Sequence, residues 1–133
     1  MLEAAQKSVT DFSRLCDLPV SDSPRELARE RVELRAKWMS EEIEEFRNAA
    51  DIVDQVDAVT DLIYYALGVF VEMGIDGGRV FRFVHEANVT KVRPGEKPTY
   101  NTDGKVLKPE GWVPPKERIR QWLGTISPDP PLR

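Results

Sequence analysis

The sequence predicts an all-α protein: an antiparallel helical bundle, completed by oligomerisation, with a Pro-rich C-terminal tail. Three observations point there. Apolar residues recur at helical spacing through the first two thirds of the chain. The breaks between these stretches are only a few residues long, which makes successive helices antiparallel neighbours. Eight of the ten prolines fall after Lys91, where a continuing bundle is excluded. With 133 residues the chain has room for one domain. We divide it into a helical domain over 1–92 and a Pro-rich basic tail over 93–133, with a turn and a short helix, that packs on the bundle.

Val9, Phe12 and Leu15 space a first helix over about 6–15. Pro19 and the Ser21-Asp22-Ser23-Pro24 cluster interrupt it. Ser23 as N-cap, Pro24 at the first helical position and Glu26 three residues on predict a second helix from there to about residue 48. Asp51 caps a third, which carries Val53, Val56, Ile63, Leu67 and Val71 and stops at Gly74. Asp76-Gly77-Gly78 opens a fourth over about 79–88, with Val80, Phe81, Phe83 and Val84 apolar. In the tail, Asp103-Gly104 between Thr99-Tyr100 and Val106-Leu107 predicts a tight hairpin or turn. A short helix carrying Ile119 and Trp122 follows Pro115, and 127–133 is expected to be disordered.

Charge and composition narrow the function. The formal net charge is −4, which argues against a nucleic-acid partner, because such proteins carry a basic excess to displace phosphate counterions. The longest apolar run, 62–71, is half a membrane span, so no membrane partner is expected. One cysteine, Cys16, excludes an internal disulfide and multi-cysteine zinc frameworks, and makes a cytoplasmic location the default. With one histidine, His85, any metal site must be built from oxygen ligands, which selects Mg²⁺ or Mn²⁺ over zinc.

Carboxylates then appear where apolar residues belong. On the second helix Leu27, Leu34 and Trp38 mark a stripe whose continuation falls on Glu41, Glu42 and Glu45. On the third, Asp54, Asp57 and Asp61 share a face. Residues 41–61 hold eight acids against one base, Arg47. Facing rows of this charge call for a bound cation.

Glu41-Glu42-Ile43-Glu44-Glu45, followed twelve residues later by a segment ending in Asp61, resembles the E-E-x-x-E … E-x-x-D signature of the all-α nucleoside triphosphate pyrophosphohydrolases, the MazG-like superfamily. The signature's second glutamate is absent, since position 58 is alanine; Asp57 or Asp54 is its substitute. Residues 80–91 (VFRFVHEANVTK) and 103–115 (DGKVLKPEGWVPP) are similar to a helix end and a tail of the phosphoribosyl-ATP pyrophosphohydrolase-like, dimeric dUTPase-like branch. The likeness spans about 20–117.

The resemblance implies hydrolysis between the α- and β-phosphates of a nucleoside triphosphate, with dUTP or another deoxynucleotide as the best substrate. It implies Mg²⁺ (or Mn²⁺) held by Glu41, Glu42, Glu45, Asp57 and Asp61, with Glu41, Glu42 or Glu45 activating water, and a homodimer or tetramer. Lys91 to the C-terminus holds nine bases against five acids, so Lys91, Lys105 and Lys108 are the candidate phosphate-binding cations, and Asn88 a candidate for the base or sugar. Trp112 either stacks on a base or pins the tail. Two alternatives stay open: phosphoribosyl-ATP hydrolysis in histidine biosynthesis, and a non-catalytic acidic module for a basic partner.

Overall fold

The computed structural model describes residues 1–126; the expected disorder of 127–133 lies outside them. The described residues form five helices and no strand: α1 (Leu2–Leu15), α2 (Arg29–Arg47), α3 (Ile52–Met73), α4 (Gly77–Val89) and α5 (Lys116–Ile126). The chain makes two compact units, residues 1–77 and the segment from Gly78 onward. Among the described residues no single helix is long and apolar enough to cross a membrane.

In the first unit α3 is the central rod, packed on both α1 and α2. Side-chain partners across α2 and α3 run 31 with 72, 38 with 65 and 42 with 61, so one number rises as the other falls and the helices are antiparallel. The short 48–51 connection requires this. Val9, Leu67 and Val71 form the buried core, with Leu2, Val20 and Phe70 against it. Gln6 ties α1 down by donating to the Ile75 carbonyl at 2.7 Å and accepting from the Gly77 N–H at 2.9 Å.

Both expected ends of α3 are present. The Asp51 side chain accepts from the Asp54 N–H, and Asp54 in turn accepts from the Ala50 N–H, so two orphan donors are satisfied reciprocally. Gly74 at φ 69° closes the C-terminus, with the Ile75 N–H reaching back to the Phe70 carbonyl.

The second helix starts later than the Ser23-Pro24 signal predicts. Residues 21–28 are irregular and α2 begins at Arg29. The reason is a competing set of hydrogen bonds: the Ser21 N–H donates to the Val71 carbonyl, the Ser21 hydroxyl to the Glu72 carbonyl and the Arg25 N–H to the Met73 carbonyl. This segment caps the open carbonyls of α3, and a backbone held that way is not free to wind into a helix.

On the inward stripe of α2, Trp38 and Glu42 lie where expected, but Arg35 takes the place expected of Leu34. Leu34 is 40% exposed, and Arg35 and Glu42 are the buried positions, with Trp38 and Met39 half-buried between them. The spacing of Leu27, Leu34 and Trp38 misses Arg35 because an inward position of the seam is held by a charged group.

In the second unit Phe83 is buried on α4, with Trp122 of α5 edge-on to it at 6.1 Å. Arg118 lies over the Phe83 ring and pairs with Glu86. The Asp103-Gly104 turn forms as expected, organised by the Asn101 side chain, which accepts from the Asp103 and Lys105 N–H groups. Pairing stops at one antiparallel bridge, Tyr100 with Val106.

Candidate active site

Glu42 is the anchor of the carboxylate group. It is 8% exposed on the seam between α2 and α3, and its Oε2 has no hydrogen-bond partner. Its proton affinity is raised first by burial, then by a hydrogen bond with Glu45 and by the negative charges of Glu45, Asp61 and Asp57. Three of the other four residues expected to hold a metal, Glu45 on α2 and Asp57 and Asp61 on α3, therefore act on Glu42. Glu45 and Asp57 are exposed and Asp61 is half-buried, so the group opens from a buried floor toward the surface.

Glu41 is exposed, off the seam on which it was expected, and is not among the groups acting on Glu42. Ala58, where the signature has glutamate, is 1% exposed. Of its two candidate substitutes, Asp54 is engaged in capping α3, whereas Asp57 bears on Glu42. A cleft of about 300 Å³ lined by Glu45, Asn48, Ala49, Asp54 and Asp57 adjoins the group.

Among the described residues no three Asp, Glu, His or Cys side chains stand in a finished ligating arrangement. The donors fit a hard divalent cation nonetheless: all are carboxylate oxygens, and the buried, unpartnered Glu42 Oε2 lacks the positive partner that burial of a carboxylate demands.

The substrate candidates lie in the second unit. Lys91 and Lys108 both rest over the Trp112 ring, at 5.1 and 5.4 Å from its centroid. The Trp112 indole N–H donates to the Ala87 carbonyl at 2.9 Å and the Thr90 hydroxyl at 3.1 Å, which favours the tail-pinning reading of that residue. Lys105 is exposed beside the Gly104 turn, Asn88 is exposed in the last turn of α4, and His85 is exposed.

One cluster escaped the sequence reading. Glu72 on α3, 4% exposed, takes both Arg31 and Arg35 of α2: Arg31 through Nε at 2.6 Å and Nη2 at 3.1 Å, Arg35 through Nε at 2.7 Å. Burial alone would raise its proton affinity, but the two guanidinium groups outweigh burial and hold it below the usual carboxylate range. The available signal was the i, i+4 spacing of Arg31 and Arg35, in register with Trp38 and Glu42.

Comparison with known proteins places these features in a family. A solved structure from Exiguobacterium sp. 255-15, of a protein assigned as an NTP pyrophosphohydrolase, is similar over 91% of this chain and 97% of that one, at 25% identity and a TM-score of 0.45; the likeness is too loose to bear on the site. No curated protein matches the chain significantly. The Phosphoribosyl-ATP pyrophosphohydrolase family matches residues 9–88, well over half of the chain and the whole of the carboxylate group. The chain belongs to the phosphoribosyl-ATP pyrophosphohydrolase family and is a pyrophosphohydrolase.

Proposed function

We propose that the protein is a metal-dependent nucleoside triphosphate pyrophosphohydrolase that cleaves between the α- and β-phosphates, with a deoxynucleotide such as dUTP as substrate. The observation that carries this reading is Glu42: a buried carboxylate with an unpartnered oxygen, ringed by Glu45, Asp57 and Asp61. Glu42, Glu45, Asp57 and Asp61 are the proposed metal ligands, with Glu41 at the exposed rim. Mg²⁺ or Mn²⁺ bound there would neutralise phosphate oxygens and acidify water.

The chain's own carboxylates handle the proton. One of Glu41, Glu42 and Glu45 accepts it as water adds to phosphorus; the α–β bridging P–O bond breaks, and pyrophosphate leaves with its electron pair. Glu45 acts on Glu42 more strongly than Asp61 or Asp57 does, which makes these two the favoured pair. Lys91, Lys105, Lys108 and Asn88 are the proposed contacts to phosphate, base or sugar.

A homodimer or tetramer belongs to the same proposal. Ile52, Val53, Val56 and Ile63 are exposed on the helix that carries Asp57 and Asp61, an apolar row that a second copy would cover. A cytoplasmic location, where nucleotides and Mg²⁺ are at hand, goes with it.

Phosphoribosyl-ATP hydrolysis is the second reading, favoured by the family match over residues 9–88. A panel of nucleoside triphosphates and phosphoribosyl-ATP with Mg²⁺, scored for the phosphate released, separates the two. Pyrophosphate from the triphosphates supports the first; turnover of phosphoribosyl-ATP alone supports the second. Release of orthophosphate only places cleavage at another bond and overturns both.

A further inference from the structure

A pocket of about 260 Å³ opens among α1, α2 and α3 in the first unit. Phe12, Trp38, Tyr64 and Tyr65 give it aromatic walls, with Phe12 edge-on to Tyr64 and Trp38 tilted against Tyr65. Arg31 and Arg35 make it cationic: two guanidinium groups share the single carboxylate of Glu72. Arg35 is 7% exposed and bonds Glu72 through Nε alone, which leaves both of its Nη groups to donate elsewhere.

Gly68 shows how Arg35 is accommodated. Glycine inside a helix is destabilising relative to alanine, so its presence in mid-α3 needs a reason. A Cβ there would lie 2.7 Å from Arg35 Nη1. The guanidinium fills the space that a side chain at 68 would take.

The pocket is in register with the carboxylates. Trp38 precedes Glu42 by four residues on α2 and Tyr65 follows Asp61 by four on α3, a displacement of about 6 Å along the helices. That is comparable to the span of a sugar between a base and its 5′-phosphate. Arg35 lies farther along, about 10 Å from Glu42 by helical rise. The Arg35 guanidinium lies over the Trp38 ring at 5.3 Å, so the phosphate site is at one end and the ring walls with their guanidinium are at the other, as a nucleotide's phosphate and base are.

We propose that this pocket receives the base of the nucleotide, that the base is a uracil or thymine ring, and that Arg35, positioned by Gly68, selects it. The inference rests on the proposed hydrolase reading and names its substrate class. The volume admits a nucleobase, which the aromatic walls hold by its faces, and the choice among bases falls to the exocyclic group that meets Arg35, an amino group in adenine as in cytosine. In a pyrimidine the sugar leaves from N1, and C4 is opposite. With the sugar directed toward the carboxylates, the group presented to Arg35 is the C4 substituent. Uracil and thymine carry a carbonyl there, which accepts from the Nη groups; cytosine carries an amino group, which opposes donor to donor.

The test uses nucleosides, which carry no phosphate for the carboxylates to repel. Binding of deoxyuridine, thymidine, deoxycytidine and deoxyadenosine to the full chain in EDTA is measured by ligand-observed NMR. Deoxyuridine and thymidine should bind at least tenfold more tightly than the other two; equal binding, or binding of none, overturns the proposal. Since no metal is present and no bond is cleaved, that failure leaves the hydrolase reading standing, while an inactive enzyme that still discriminates bases sinks only the hydrolase reading. Gly68→Ala, which displaces the far end of a flexible side chain, should reduce the deoxyuridine-to-deoxycytidine preference at least fivefold and act on KM for dUTP rather than on kcat. Phe12→Leu, at a half-exposed position that tolerates truncation, should weaken deoxyuridine at least threefold with helicity unchanged. Unaltered preference in folded Gly68→Ala, or unaltered affinity in folded Phe12→Leu, overturns it as well.

Discussion

Glu42 and Glu72 are both buried carboxylates, and their surroundings drive them in opposite directions. Burial and three acidic neighbours raise Glu42, whereas Arg31 and Arg35 overcome the burial of Glu72 and lower it. A carboxylate raised in the folded state binds more protons folded than unfolded, so the stability it allows is lost as pH rises from the unfolded carboxylate range through its own raised value. For Glu72 the sign is reversed: its contribution is present above the unfolded range and lost as pH falls through its lowered value. In EDTA, the urea midpoint of Glu42→Gln should therefore stay level on the high-pH side where the parent declines; identical profiles would contradict the account. The same variant should lose about a hundredfold or more in hydrolysis if Glu42 handles the proton, measured as pyrophosphate release with Mg²⁺. Glu72→Gln leaves two guanidinium charges without their partner and should cost about 3–5 kcal/mol in urea unfolding.

At the scale of elements, the two ends of α3 differ in what they require. Asp51→Ala removes one capping acceptor and should cost about 1 kcal/mol, read from the shift of the thermal midpoint. Gly74→Ala forces a left-handed backbone on a residue with a Cβ, about 1–2 kcal/mol by itself. It also places that Cβ 2.3 Å from the Ser23 carbonyl oxygen, so the total loss should exceed that of Asp51→Ala. Equal shifts would mean that the 21–28 segment yields freely. That segment is where local reading fails: Ser23-Pro24-Arg25-Glu26 has the chemistry of a helix start, yet the carbonyls of α3 recruit it as a cap. The ends of α3 are legible because Asp51 and Gly74 act on backbone within a few residues of themselves; the start of α2 is not, because its competitor lies some fifty residues away.

For the molecule as a whole, the proposed metal answers the carboxylate seam and the proposed second copy answers the exposed apolar row of α3. Mg²⁺ should raise the thermal midpoint of the parent, by preferential binding to the folded state, and should do so far less for Glu42→Gln; equal shifts in both would place the ion elsewhere. Val56, 59% exposed, is the row's centre by sequence position, and Val56→Glu should lower the mass in light scattering from dimer or tetramer toward the monomer. A monomeric parent would remove the oligomer from the proposal. The two proposals are separable, since a metal would act on charge and a second copy on apolar area.

The sequence alone determined the helical class, the two ends of α3, the Gly104 turn and the presence of two acidic rows, because helical periodicity, capping and turn chemistry are local and each is written in a few adjacent residues. Tertiary structure decided the rest. It took Leu34 and Glu41 off the α2 seam and put Arg35 there beside Trp38 and Glu42, set Asp57 and not Asp54 to act on Glu42, and matched Gly68 to the Arg35 guanidinium. Which face of a helix is buried depends on what another helix presents to it. When buried charges are neutralised by partners some forty residues away, no local pattern records the choice.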